Sequence, residues 1–267
     1  MKKFVIAILV LAFSFSAHAE VYATPGSVWN SVEMSPMDQG NLIDYFHVDQ
    51  GIVVGHLQNW DVIPYVALNG AKNAANNEWN NQIEAEGGAR LSRKFENGAI
   101  DLNAALGTER NFKYNTYYPK TDQTGLILSA DGAYSWQKFK DSQSYDTPGY
   151  ISAVVGTLSP LEGNNLIGVV RLEQAINLVK VKSTDVAAVY WGQVGADSAG
   201  YAWNNLMING VGVRALYAFN GGVATLTGGI ECANQSFGAS GYVGGAVCGP
   251  TIRLDISEGW DNIRGTK

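Results

Sequence analysis

The chain has 267 residues with 24 Asp and Glu against 18 Lys and Arg, and charged residues make up only 16% of it. A formal net charge of −6 excludes a nucleic-acid binder that works through a basic surface. Soluble domains usually carry about a quarter charged residues, so this deficit implies a large surface that does not face water.

Met1-Lys2-Lys3, the apolar run Phe4 to Phe15 and Ala17-His18-Ala19 form the charged, apolar and small-residue regions of a secretory signal over residues 1–19, cleaved before Glu20. Cleavage removes Lys2 and Lys3 and no acid, so the mature charge becomes −8. The apolar run is short for a membrane span, and no later segment approaches twenty uninterrupted apolar residues, so a helical membrane protein is not expected.

Residues 20–40 hold Pro25, Gly26, Pro36 and Gly40 among polar residues and read as an irregular lead-in. Residues 41–260 then read as about twelve strands: Asn41–His56, Asp61–Asn69, Asn80–Phe95, Ala99–Phe112, Thr124–Trp136, Gly149–Leu158, Asn165–Val181, Asp185–Val194, Asn205–Phe219, Val223–Cys232, Gly241–Cys248 and Thr251–Glu258. A tail, 261–267, follows.

A segment of about thirty residues occurs twice within this run. Trp79-Asn80-Asn81 is followed by Gly88, Arg90, Phe95 and Gly98, and Trp203-Asn204-Asn205 by Gly212, Arg214, Phe219 and Gly222, 124 positions later. Each copy reads as a hairpin around Glu96-Asn97-Gly98 or Asn220-Gly221-Gly222. Short connections, among them Leu161-Glu162-Gly163-Asn164, tend to alternate with the longer Lys72–Glu78, Asn115–Gln123, Lys138–Pro148 and Gly195–Ala202. Such alternation is expected of a transmembrane barrel with short periplasmic turns and longer extracellular loops. A soluble β-sandwich with uneven loops also alternates hydrophobicity along its strands.

Side-chain parity separates the two. Along Gln82–Lys94 the even positions are almost wholly polar, and along the next strand Ile100, Leu102, Ala104 and Leu106 oppose Asp101, Asn103 and Glu109. The apolar faces are rich in Ala and Gly, which fill the space between packed sheets poorly but are acceptable to lipid chains. Tyr22, Trp29, Tyr45, Trp60, Trp79, Tyr117, Tyr118, Trp136, Tyr190, Trp191, Trp203, Tyr217 and Trp260 fall toward strand ends, as interfacial girdles require. The fold class is therefore all-β, an antiparallel up-and-down transmembrane β-barrel of about twelve strands in the bacterial outer membrane, with lipid as its first partner. Its interior would be lined by Glu84, Glu86, Arg90, Asp101, Glu109, Arg171, Glu173, Arg214, Glu231, Arg253 and Asp255. Such mixed charges form either structural cross-lumen networks or a path that guides a solute.

Cys232 and Cys248, an even count in an exported chain, are expected to form a disulfide. They have no nearby His, so no metal or other cofactor is expected. The mature histidines His47 and His56 lack a serine motif and read as structural residues at strand ends, so no catalysis is expected.

Asp49-Gln50-Gly51, Asn59-Trp60 leading into Pro64-Tyr65-Val66-Ala67-Leu68, Trp79-Asn80-Asn81 with Gly88 and Arg90, and Gly98 followed by Glu109-Arg110 resemble the carboxy-terminal barrel of the bacteriophage adsorption protein A family. The chain is more distantly similar to the outer-membrane barrels of exopolysaccharide exporters. The resemblance covers roughly residues 40–260. It implies a barrel that passes polysaccharide or polar solute, served by a separate periplasmic partner, since the family's helical-repeat region has no counterpart here. The chain departs from many outer-membrane barrels by running past Trp260 instead of ending on an aromatic residue. A closed barrel that binds phage or polymer through its long loops is the alternative function.

Overall fold

The computed structural model describes residues 23–36, 41–75, 81–112, 122–138, 147–201, 204–234 and 246–261. The expected signal sequence, residues 262–267 of the tail and the start of the expected strand Gly241–Cys248 lie outside them. The strands are β1 (Pro25–Met34), β2 (Leu42–Gly51), β3 (Gly55–Leu57), β4 (Trp60–Asn73), β5 (Asn81–Phe95), β6 (Gly98–Asn111) and β7 (Asp122–Lys138). They continue with β8 (Thr147–Thr157), β9 (Ile167–Val181), β10 (Thr184–Asp197), β11 (Leu206–Phe219), β12 (Gly222–Asn234) and β13 (Val247–Asp261).

Every neighbouring pair is antiparallel, and β1 pairs with both β13 and β2, so the sheet closes on itself. Closure leaves no sheet edge, which a sandwich would have. The short β3 continues β2 past a bulge: Ile52 N–H donates to the Pro64 carbonyl and Val54 N–H to that of Val62, keeping the chain on β4. With β2 and β3 counted as one, the wall has twelve strands. Pro64 lacks a donor, and it sits opposite this bulge, where the ladder is already irregular.

Two sequence expectations need correction. The supposed lead-in 20–40 contains β1, the strand that closes the barrel. Pro25 and Pro36 bracket it without interrupting it, and Ser27, Trp29, Ser31 and Glu33 alternate with Val28, Val32 and Met34. The barrel therefore starts at Pro25, not at residue 41. In addition, Val247–Cys248 and Thr251–Glu258 belong to one strand, β13, which runs to Asp261.

The repeat extends far beyond its hairpin. The registers of β2–β4, β4–β5, β5–β6 and β6–β7 recur in β9–β10, β10–β11, β11–β12 and β12–β13 with every residue number raised by 124. Even the bulge recurs, as a register shift at Val186/Ala187. Strand β1 matches β8 at a spacing of 123. The barrel is thus two six-stranded units, β1–β7 and β8–β13, related by a pseudo-twofold along its axis.

Side chains repeat too. Trp136 Nε1 donates to Gln174 Oε1 and Trp260 Nε1 to Gln50 Oε1, both at 3.0 Å, while these glutamines donate onward to the Pro148 and Pro25 carbonyls. Each indole lies over a glycine: a Cβ on Gly149 or Gly26 would come within 2.6 Å of the ring. Gly98 and Gly222 each sit beneath the Phe that precedes the turn, Phe95 or Phe219, and an added Cβ would strike a carbonyl of the next strand at 2.1 or 2.3 Å.

The connections between β3 and β4, β5 and β6, β9 and β10, and β11 and β12 are two-residue turns at one end, where the chain also enters β1 and leaves β13. Longer connections fill the other end, with one exception. Lys138–Pro148 joins β7 to β8 at the turn end, so it does not stand with the other three long loops, whereas Leu161–Asn164 belongs to the long-loop end. Successive side chains point to opposite faces of a strand. Leu126, Val211 and Ile230, each more than half exposed, lie on the outward face with Leu102, Ile252 and Leu254. The inward face holds buried polar residues, among them Ser31, Asn73, Glu109 and Glu173. Trp60, Phe95, Tyr134, Trp136, Tyr217, Phe219 and Trp260 gather on the outward face at the turn end, forming a girdle. Trp29, Tyr45 and Trp191 do not join it. Their register places them on the lumen face.

Candidate functional site

The eleven charged residues Glu84, Glu86, Arg90, Asp101, Glu109, Arg171, Glu173, Arg214, Glu231, Arg253 and Asp255 all fall on the inward face by register. Arg90 anchors one centre on the first unit, and Arg171, Glu173, Arg214, Arg253 and Asp255 form another on the second.

In the first unit Arg90 is used on three sides. Its Nη1 donates to Asp49 Oδ2 at 3.0 Å, its Nε donates to Asn103 Oδ1 at 3.0 Å, and its guanidinium stacks 4.6 Å above the Tyr65 ring. Asp49 also accepts from the Ser27 hydroxyl, and His47 Nε2 lies 3.6 Å from it. Asn103 in turn donates to Asp131 and Ser129. A guanidinium has five donors in a fixed fork, so partners around the fork hold it rigidly.

The second unit repeats the skeleton with different residues. Arg214 pairs with Glu173, the residues 124 positions beyond Arg90 and Asp49. Arg171 replaces His47 and Arg253 replaces Ser129, and both converge on the same carboxylate, with Nη2 atoms 3.8 and 3.7 Å from Glu173 Oε2. Tyr150, equivalent to Ser27, directs its hydroxyl at Glu173, and Arg253 Nε donates to Asp255 at 2.8 Å. Arg253 and Glu173 stand four strands apart in a twelve-strand ring, so this contact is a chord across part of the lumen. Thr227 stands where Asn103 stands. The Nε atoms of Arg171 and Arg214 and the Thr227 Oγ1 are buried without a hydrogen-bond partner.

The remaining charges divide unevenly. Glu84 is directly opposite Glu109 on the ladder and Asp101 is opposite Asp131, so the first unit sets like charges side by side. Such pairs are unfavourable unless something lies between or beside them. Glu84 Oε1 and Asp101 Oδ1 are buried without partners. Glu109 is held by the Ser159 hydroxyl and the Leu161 N–H, and Glu231 by the Ser35 hydroxyl at 2.7 Å and Trp191 Nε1 at 3.1 Å. The second unit has Ile208, Gly210, Thr225 and Ala233 where the first has Glu84, Glu86, Asp101 and Glu109. One wall is therefore acidic around a single guanidinium, and the facing wall carries three guanidiniums.

Asp49, Asp131, Tyr65, Tyr150 and Thr227 are site residues that the strand parity did not single out, and Asn103, placed on the polar face, is not among the expected lining residues. The 124-residue spacing would have found Asp49 and Asp131, which stand in register with Glu173 and Asp255. His47 lies within β2 facing the lumen, not at a strand end, with its Nδ1 bonded to Asn69. His56 does lie near an end, 2.7 Å from Asp61. Ser27, His47 and Asp49 meet, but in an order unsuited to acyl transfer: Asp49 lies between the hydroxyl and the imidazole, whereas a nucleophile needs the base beside it. On the outward face Cys232 and Cys248 are direct partners across β12 and β13, joined by a disulfide. Their counterparts Thr108 and Thr124 are hydrogen-bonded at 3.0 Å.

A closed antiparallel barrel with an apolar exterior, a polar lumen and an aromatic girdle is a transmembrane barrel of the bacterial outer membrane, because only closure satisfies every backbone group of a sheet within lipid. No family model and no curated protein matches the sequence. Similar solved structures include a KdgM porin at 9% identity, covering 88% of this chain and 99% of that one with a TM-score of 0.39. LpxR from Salmonella typhimurium follows at 10% identity, 87% and 99% coverage and a TM-score of 0.40. The COG4313 outer membrane channel from Pseudomonas putida F1 is 10% identical over 90% of this chain and 96% of its own, with a TM-score of 0.41. Superpositions this loose add nothing about activity, which is read below from the lumen.

Proposed function

We propose that the protein is a narrow outer-membrane channel for a polar solute or polysaccharide chain. One observation carries this reading: the two units share a backbone plan, yet their lumen charges have diverged into an acidic wall and a guanidinium wall. A network serving stability alone would pair its charges within each wall, whereas here acceptors on one wall and donors on the other are left buried and unpartnered. A dipolar or hydroxyl-rich solute lying across the lumen meets both. Kinship with phage-adsorption and exopolysaccharide-exporter barrels, and a separate periplasmic partner, belong to this proposal.

Single-channel recording in planar bilayers tests it. Discrete, cation-selective conductance is expected from the acidic surplus, and Arg253→Ser, which cuts the chord to Glu173, should raise it. Silence from both proteins, with heat-modifiable mobility proving the barrels folded, rules the channel out.

A second reading is supported by the long-loop end. The segment Ser159–Glu162 turns inward, burying Pro160 beside Gly125 and binding Glu109. A closed barrel of this kind would serve as a surface receptor or structural protein, and shortening the loops at Lys72–Glu78, Asn115–Gln123 and Gly195–Ala202 would abolish its binding.

A further inference from the structure

The internal repeat supplies a control that a single site lacks. Both units place an arginine at the same position of the same hairpin strand, on diametrically opposed strands, paired to an acid at the same position of β2 or β9. In the first unit the Arg90 Nε is satisfied by Asn103. In the second the equivalent residue is Thr227, whose side chain is too short for that bond, and both partners of the lost contact are left over. Thr227 is 4% exposed and is the direct ladder partner of both Arg214 and Arg253. The unit also has Arg171 and Arg253 where the first has His47 and Ser129. The second unit thus carries more charge at the very place where it lacks the first unit's internal hydrogen-bond partner.

We propose that Arg171, Arg214, Arg253 and Thr227 form a binding subsite for an oxyanion, a carboxylate or sulfate group carried by the solute. The proposal deepens the channel reading and rests on it only for the solute's route. The chemistry follows from the leftover groups. Two guanidinium Nε atoms can only donate, and a hydroxyl can donate, so the complement is a group presenting several acceptor oxygens. Glu173 occupies one side of the cluster, but two of the three guanidiniums lie 3.7 and 3.8 Å from its oxygen, too far for a good hydrogen bond. The Nε donors of Arg171 and Arg214 remain for a second acceptor. Glu33 lies beside Arg253 on β1 and Asp255 accepts its Nε, so the donors left for a ligand are those of Arg171, Arg214 and Thr227.

Binding is measured on the full barrel in detergent by titration calorimetry, with sodium sulfate and sodium glucuronate as probes and glucose as the neutral control. The wild type should bind both anions and not glucose. Thr227→Asn installs the first unit's own solution, giving Arg214 Nε the partner that Arg90 already has, and should weaken both anions about tenfold, the worth of a hydrogen bond to a charged group. Arg171→His, again the first unit's residue, should weaken them similarly. Both residues already stand in an equivalent frame, so heat-modifiable mobility should be retained. Unchanged affinity in both folded variants, or equal binding of glucose, overturns the proposal and leaves water as the occupant. Anion binding lost in Thr227→Asn from a protein silent in bilayers would uphold the subsite while removing the channel. Conductance with unaltered anion affinity would do the reverse.

Discussion

The two six-stranded units of this barrel share registers, a bulge, the Trp–Gln latches and the Phe-over-Gly turns, and differ in what fills the lumen. The shared features are those that hold a closed sheet in a membrane: ladder alignment, girdle residues, and turns that need a glycine where backbone approaches closely. The divergent ones face inward, where no lipid constrains them. Divergence there has made one centre self-sufficient and left the other with donors to spare, a difference that two copies of one frame make legible.

The sharpest test of that difference is to remove each central arginine. Asp49 has a single guanidinium partner and is 6% exposed, so Arg90→Ala leaves a buried carboxylate with only the Ser27 hydroxyl and His47 beside it and should cost about 3 kcal/mol. Glu173 keeps Arg171 and Arg253 after Arg214→Ala, so the loss should be only about 1 kcal/mol. Urea unfolding of the barrels in lipid vesicles measures both, and equal losses would mean that the second centre is no better supplied than the first.

The outward cross-strand pairs come next. Reducing Cys232–Cys248, which encloses a separation of 16 residues, should cost on the order of 3 kcal/mol in the chain-entropy model. Thr108→Val removes the corresponding hydroxyl bond and should cost about 1 kcal/mol or less. Gel mobility against temperature, with and without reductant, should show only the former as a large shift.

The smallest effects should be symmetrical. Trp136→Phe and Trp260→Phe each delete an indole donor to an equivalent glutamine and should each cost about 0.5 kcal/mol. A clear inequality in the same unfolding assay would show that the latches, unlike the ladders, are not equivalent.

Much of the frame was legible in the residues. Alternation in β5 and β6 gave the lipid face, and the Asn81 and Asn205 hairpins gave the repeat, because side-chain period and turn chemistry are local. Strand β1 is hidden in the sequence because Pro25 and Pro36 mask a short alternation whose role, closing the ring against β13, is wholly non-local. The Lys138–Pro148 connection looks like the other long loops in the sequence because length alone does not fix which end of the barrel a loop occupies.

By itself the sequence determined the lipid and lumen faces of the strands whose alternation is clear, such as β5 and β6, since that follows from strand parity alone. The pairing of Arg90 with Asp49, the convergence of three arginines on Glu173, and the stranding of Thr227 beside Arg214 were decided only by the tertiary structure. Asp49 and Arg90, and Glu173 with Arg214 and Arg253, stand on strands that are not ladder neighbours, while Thr227 meets Arg214 only through the β11–β12 register, and this geometry comes from the curvature and stagger of the closed sheet, which no local pattern encodes.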